Sequence, residues 1–203
     1  MPDSPQEEML VSLRTEVLDI AQRMADLGLV RVSSGNVSAR FGAGFLITAS
    51  GIPYNELESD QIIEVNLQGE KKSGIGEPSS EWRMHAAIYR ERDDVAAIVH
   101  THSPYATSVA IARSTLPIVH DEGKILFGEG IPVASHSSPG TWQLADAVVT
   151  GLGTGNALLI ANHGALAVAK SLPEAFTLAE KIEEMAQLFW LSSFIKEKDE
   201  HGS

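Results

Sequence analysis

The stretch Val95-Ala96-Ala97-Ile98-Val99-His100-Thr101-His102-Ser103-Pro104 decides how this chain is read. Its small and β-branched apolar residues predict a buried strand. The strand ends in two histidines with one residue between them. Side chains alternate along a strand, so His100 and His102 project from one face and can hold one cation. Pro104 can open a helix that runs to about Arg113. A second apolar strand, residues 157–161, leads into Asn162-His163-Gly164. If the two strands are neighbours, His163 stands beside the first pair. Three neutral imidazoles leave a coordination position open, as catalytic zinc sites require. A bare His-x-His also suits histidines that merely bond surface groups, so the third histidine strengthens the metal reading. His85, His120, His136 and His201 read as packing or surface residues.

Helical stripes and short strands lie to either side. Leu10, Leu13, Val17, Ile20, Ala21 and Met24 recur at steps of three and four, predicting an amphipathic first helix that Gly28 can stop. Strands are expected over 37–40 and 45–47 around a turn at 42–44, and over 61–66 before a turn at 68–69. Residues 71–78 read as a loop, followed by a helix from Ser79 or Ser80 to about Arg92. Short strands are expected over 118–120 and 131–134, and a helix over 139–152. Ser171 and Glu174 are spaced as a capping box. They open a last helix with Phe176, Ala179, Ile182, Ala186 and Phe189 as its buried stripe, and the polar tail 196–203 is expected to fray. With no repeat or linker, residues 1–203 read as a single domain with a core over about 10–195. Strand pairs on short turns, mixed with helices without a strict βαβ rhythm, argue for a partly antiparallel sheet covered by helices.

The chain has 203 residues, 43 % hydrophobic and 21 % charged, enough for a sizeable globular core. It has no cysteine, which excludes disulfides, thiol catalysis and thiolate metal sites, and a reducing cytoplasm fits. A formal net charge of −12 opposes nucleic acid as a partner. Asp3, Glu7 and Glu8 precede any apolar run, the wrong order for a signal peptide, and no apolar run is long enough to span a bilayer. The negative balance does not exclude a small phosphate substrate. Backbone amides, hydroxyls and a helix terminus can hold an anion without lysine, and a bound cation adds local positive charge.

Pro78-Ser79-Ser80-Glu81 has that chemistry. Serine hydroxyls at a helix N-terminus can hold a phosphate, and Glu81 can serve as a general base or a metal ligand. The plain alternative is an N-cap serine followed by an ordinary first-turn acid. Ser34-Gly35-Asn36 and Thr48-Ala49-Ser50-Gly51 likewise join hydroxyl or amide side chains to glycine, which admits a ligand close to the backbone; each could also be a turn.

Five segments, taken in order and at their spacing, resemble the class II aldolase/adducin family. They are Gly35-Asn36-Val37-Ser38, Thr48-Ala49-Ser50-Gly51, Ser79-Ser80-Glu81, His100-Thr101-His102-Ser103 and Asn162-His163-Gly164. The resemblance runs from about Val11 to Leu191. It implies a three-layer α/β/α subunit with a largely antiparallel central sheet. It also implies a homotetramer of C4 symmetry with active sites between subunits. The implied reaction is zinc-dependent cleavage of a ketose 1-phosphate to dihydroxyacetone phosphate and an aldehyde, through a metal-stabilised enediolate. By resemblance, His100, His102 and His163 are the Zn²⁺ ligands. Glu81 is the fourth, displaceable ligand and the acid/base. Gly35, Asn36, Ser50, Gly51, Ser79 and Ser80 hold the phosphate of a small sugar substrate.

Within the family, Ser-Ser-Glu favours aldolases over pentulose-phosphate epimerases, which tend to carry Asp. Glu81-Trp82-Arg83-Met84-His85 also resembles sugar-acid-phosphate decarboxylases, and non-catalytic adducin-like members usually lack some metal ligands. Aldolases of the fuculose type usually carry a proton-donating tyrosine just after the histidine equivalent to His120. Here that position is Asp121, followed by Glu122, and a second tyrosine is replaced near His136. Asp121, Glu122 and His136 are therefore the candidate proton donors to the aldehyde oxygen.

Overall fold

A computed structural model describes residues 4–201, with side chains over 4–195. Asp3, the side chain of His201 and the side chains of the tail 196–203 lie outside the described residues. The first helix, α1 (Pro5–Asp26), opens as its sequence dictates: Ser4 Oγ accepts from the Glu7 backbone N–H at 3.2 Å, and Pro5 occupies the first turn. Val17, Ile20, Ala21 and Met24 form its buried face.

The chain continues through β1 (Asn36–Phe41), β2 (Gly44–Thr48), a 3-10 turn (Ser59–Gln61), β3 (Ile62–Asn66), β4 (Lys71–Ser73), α2 (Trp82–Glu91) and β5 (Ala97–Thr101). It is completed by α3 (Pro104–Ala112), β6 (Thr115–Pro117), α4 (Asp121–Phe127), β7 (Gly130–Ala134), α5 (Trp142–Leu152), β8 (Ala157–Ile160), β9 (Gly164–Ala169) and α6 (Leu172–His201). The strands form one sheet in the order β4-β3-β2-β1-β5-β9-β8-β7-β6. Every neighbouring pair is antiparallel except β7 and β8. Helices α1, α3 and α6 pack on one face, α2 and α5 on the other. This is the expected three-layer α/β/α arrangement with a largely antiparallel sheet. Strands β5 and β8 are buried at every position, which is why they read as unbroken apolar runs. One hydrophobic cluster extends from Val17 to Ala186, and each fully buried Ile or Leu in it contributes roughly 1.5–3 kcal/mol. Among the described residues, no helix is long and apolar enough to cross a membrane.

Several elements differ from the sequence reading. Residues 71–73 form edge strand β4 rather than a loop, pairing Ser73 with Glu64, and exposed Lys71 and Lys72 guard that edge. The strand expected over 118–120 lies instead at β6, where Leu116 pairs with Ile131. Residues 121–127 coil into α4, with Asp121 and Glu122 placed favourably in its first turn. Helix α2 starts at Trp82, so Ser79 and Ser80 form a turn before it and Glu81 is its N-cap. At the start of α6, Ser171 Oγ accepts from the Glu174 N–H at 3.4 Å, which is one half of the expected box. The helix then continues to His201 instead of fraying at 196.

Register sets the site at one end of the sheet. Asn36 at the start of β1 lies opposite His100 near the end of β5, and Thr101 lies opposite Ala165 of β9. Past the end of β2, Ala49 bridges Pro78, so the segments 48–51 and 78–81 run side by side.

Candidate metal centre

Both arms of the histidine cluster sit on tightly packed backbone. His163 follows Asn162, whose φ of 59° is a left-handed conformation that Asn tolerates, in the turn joining β8 to β9. A Cβ on Gly164 would lie 2.1 Å from Thr101 O, and one on Gly35 2.6 Å from His100 O. Only glycine lets these strands close around the histidines.

The three imidazoles meet nearly edge-on, with ring centroids 4.8–4.9 Å apart. His100 Nε2 lies 3.1 Å from His102 Nε2 and 3.3 Å from His163 Nε2. Glu81 completes the group: Oε2 is 3.1 Å from His100 Nε2, and Oε1 is 3.3 Å from His163 Nε2. One ligand atom from each of these four residues lies within 4.8 Å of every other.

The donor set fits a divalent cation. His100 donates Nδ1–H to Ala165 O at 2.9 Å, which turns its Nε2 toward the cluster. Glu81 Oε1 and His163 Nδ1 are buried without a hydrogen-bond partner. Burial, with repulsion from His100, pulls His102 down to about 3 and His163 to about 4. Both therefore present neutral nitrogens to the centre. Burial opposes charge on His100, yet the Glu81 carboxylate beside it raises its pKa above the ordinary histidine value. Burial likewise opposes ionisation of Glu81, but His100 outweighs it and holds that carboxyl well below the usual range. Three imidazole nitrogens and a carboxylate that converge on one point, two of the imidazoles already neutral, are a donor set that suits a divalent metal.

Asn36 donates Nδ2–H to Glu81 Oε2 at 3.0 Å and is buried. Its other amide atom meets His85, which is wholly buried and lowered to about 3, chiefly by burial. A histidine in the unfolded chain titrates near 6.5. The unfolded state therefore takes up a proton first, and stability is lost as pH falls from 6.5 toward 3. For His85 the loss is about 1.4 kcal/mol per pH unit. Urea unfolding of the metal-free protein at pH 7 and pH 5 should show this slope as the difference between wild type and His85→Gln.

The segments expected to cradle phosphate are brought together. Ser79 donates its backbone N–H to Thr48 O at 3.0 Å, and Ser50 donates its own to Glu77 O at 2.9 Å. Ser50, Gly51 and Ser80 are exposed, while Ser79 Oγ accepts from the Glu81 N–H at 3.3 Å. Gly51 has a φ of +76° and open space where a Cβ would stand. Asn36 is the exception, because its side chain faces Glu81 and His85.

Asp121 and Glu122 stand apart from the cluster on the first turn of α4. Glu122 is ion-paired with Lys181 of α6 at 2.9 Å. His136 donates Nδ1–H to Ala161 O at 3.3 Å, beside the turn that carries His163. The sequence reading missed Glu183. From α6 its carboxylate accepts the Tyr105 N–H at 2.9 Å and the Ala106 N–H at 2.8 Å. It thereby clamps the start of α3, directly after His102 and Ser103. Nothing local could signal this, since the partners are 77 and 78 residues apart.

Comparison with known proteins gives the family. The family described as Class II Aldolase and Adducin N-terminal domain matches residues 15–190. The chain belongs to the class II aldolase/adducin family. Within that family it is similar to a 5-methylthioribulose-1-phosphate/5-deoxyribulose-1-phosphate aldolase of Rhodospirillum rubrum. The two are 36% identical over 180 residues, covering 89% of this chain and 81% of the relative. It is 38% identical over 192 residues to a 5-deoxy-D-ribulose 1-phosphate aldolase of Bacillus thuringiensis, covering 93% and 89%. A solved L-fuculose 1-phosphate aldolase superposes with a TM-score of 0.86 at 32% identity, covering 91% of this chain and 87% of that one.

Proposed function

We propose that this class II aldolase/adducin member is a zinc-dependent aldolase that cleaves a ketose 1-phosphate to dihydroxyacetone phosphate and an aldehyde through an enediolate. The observation that carries the reading is the convergence of Glu81, His100, His102 and His163 on one point, with the exposed Ser50, Gly51 and Ser80 on the segments that run beside Glu81. His100, His102 and His163 hold the cation, with Glu81 as the displaceable fourth ligand. A bound Zn²⁺ supplies Lewis-acid stabilisation of the negative charge that develops on the substrate oxygens.

The chain supplies the rest. Gly35, Ser50, Gly51, Ser79 and Ser80 hold the phosphate and so fix the reacting carbons. Asn36 is assigned to the Glu81 carboxylate instead. Glu81 moves a proton to and from the hydroxymethyl carbon of dihydroxyacetone phosphate. In cleavage the hydroxyl that becomes the aldehyde oxygen gives its proton to Asp121, Glu122 or His136, and the same group returns it in condensation, with the two carboxylates reaching a neighbouring copy's centre in a homotetramer.

The test is a panel of 5-deoxyribulose 1-phosphate, 5-methylthioribulose 1-phosphate, fuculose 1-phosphate and a 3-oxo sugar-acid phosphate, each given to zinc-loaded protein. Release of dihydroxyacetone phosphate from at least one ketose phosphate is expected. The two 5-deoxy sugars are favoured over fuculose 1-phosphate because Asp121 stands where aldolases of the fuculose type usually carry a tyrosine; relatives at 36–38% identity are named for both kinds of sugar. Carbon dioxide release from the sugar acid in place of aldol cleavage would make the chain a decarboxylase. No turnover and no bound metal would make it an interaction module on this fold.

A further inference from the structure

A line of polar side chains leads away from the metal cluster into the interior. Asn36 Nδ2 lies 3.0 Å from Glu81 Oε2, and Asn36 Oδ1 lies 2.5 Å from His85 Nε2. His85 Nδ1 lies 2.6 Å from Ser38 Oγ, which lies 2.8 Å from Tyr89 Oη. Asn36, Ser38, His85 and Tyr89 are each at most 1 % exposed. The far end is braced by Arg40, whose guanidinium stacks 4.8 Å from the Tyr89 ring centroid. The same guanidinium donates to the carbonyls of Tyr89, Arg92 and Val95.

The direction of every bond in this line follows from one fact: an ionised carboxylate accepts and never donates. Glu81 Oε2 therefore takes the Asn36 NH₂, which turns the Asn36 carbonyl oxygen toward His85. That oxygen needs a donor, so His85 carries its proton on Nε2. Nδ1 is then bare and takes the Ser38 hydroxyl proton, and the Ser38 oxygen takes that of Tyr89. Burial keeps His85 neutral, as a single tautomer requires. All donors point toward Glu81, and such a chain is mutually polarised. One consequence lies at the site itself. Oε2 receives the hydrogen bond, while Oε1 has none and is left for the cation or the substrate proton.

We propose that His85, which the sequence reads as a packing residue, is a positioning residue that acts through Asn36 to orient the Glu81 carboxylate and keep Oε1 bare. This rests on the reading of Glu81 as metal ligand and acid/base, although its test needs no substrate.

Two-bond ¹⁵N–¹H spectra of the metal-free protein at pH 7 are expected to show His85 protonated at Nε2 and bare at Nδ1. In Asn36→Ala the preference should relax toward a mixture of tautomers. In competition with a chelator, His85→Phe is expected to bind Zn²⁺ about tenfold or more weakly. His85→Gln, which keeps a donor for Asn36 and an acceptor for Ser38, should stay within about threefold of wild type on the same scale. A protonated Nδ1 in the wild type overturns the proposal, as does a tautomer unmoved by Asn36→Ala. Zinc binding by folded His85→Phe as tight as that of His85→Gln does the same. If His85→Phe does not fold, the tautomer measurements still decide. If the tautomer and affinity results hold but no ketose phosphate is cleaved, the proposed reaction fails and the role of His85 stands.

Discussion

Replacing His163 with alanine is expected to remove the bound divalent cation and aldol cleavage together. His163 is the cleanest of the three histidines to change. His100 is fully buried and bonds Ala165 O, so its loss would also open a cavity in the sheet. His163 stands on a turn, its side chain 9% exposed, and its backbone N–H bonds Ile160 O at 3.0 Å whatever its side chain is. The hairpin should therefore survive the change. What is lost is one of three imidazole ligands, and the remaining two histidines and a carboxylate are a poor trap for zinc. Lewis-acid stabilisation of developing charge is worth several kcal/mol. Cleavage should fall by about 10³-fold or more, since each 1.36 kcal/mol is a factor of ten. Elemental analysis of the purified variant and a coupled assay for dihydroxyacetone phosphate check both halves. Cleavage that persists in a metal-free His163→Ala protein would end the metal mechanism.

Why this centre was visible in the sequence while its supports were not comes down to the range of the interactions. His100 and His102 could be paired because a strand has a period of two, a purely local rule. His163 could be added because it too follows an apolar run. Strand β9 was harder. Residues 157–169 are apolar on both sides of Asn162-His163, and the left-handed Asn162 with the His163 N–H bond to Ile160 O turns one run into a hairpin. Edge strand β4 was hidden because Lys71 and Lys72 face solvent and carry no apolar pattern. Helix α4 is a single short helix whose only local sign is its acidic first turn. Glu183 and His85 were beyond local reading altogether. Each looks like an ordinary helical residue until distant pairing brings the α3 amides to one and Asn36 to the other.

The second large effect is expected from Glu81→Gln. Glutamine keeps the length of the side chain and an oxygen that can accept from Asn36, so the N-cap turn before α2 should hold. It removes the charge, and with it the ability to take a proton. Proton exchange at the hydroxymethyl carbon of dihydroxyacetone phosphate should then fall by about 10²–10⁴-fold, the usual reach of a positioned acid/base. The folded protein should suffer less than the loss of a buried ion pair suggests. His100 owes its raised pKa to Glu81, against the opposing effect of burial. Without the carboxylate, His100 simply releases its proton, and no unpaired buried charge remains. The pH dependence of the metal-free protein distinguishes the two forms. In the wild type the His100–Glu81 pair stabilises fully between the unfolded carboxyl value of about 4.3 and the unfolded histidine value of about 6.5, and on the alkaline side that support is lost as pH rises through the higher folded value of His100. In Glu81→Gln the loss on the alkaline side should vanish, and thermal unfolding from pH 6 to pH 9 reads it directly. Deuterium exchange into dihydroxyacetone phosphate, followed by proton NMR with zinc present, reads the chemistry. Exchange at the wild-type rate in zinc-loaded Glu81→Gln would remove Glu81 from the acid/base role, even if its place beside the histidines were secure.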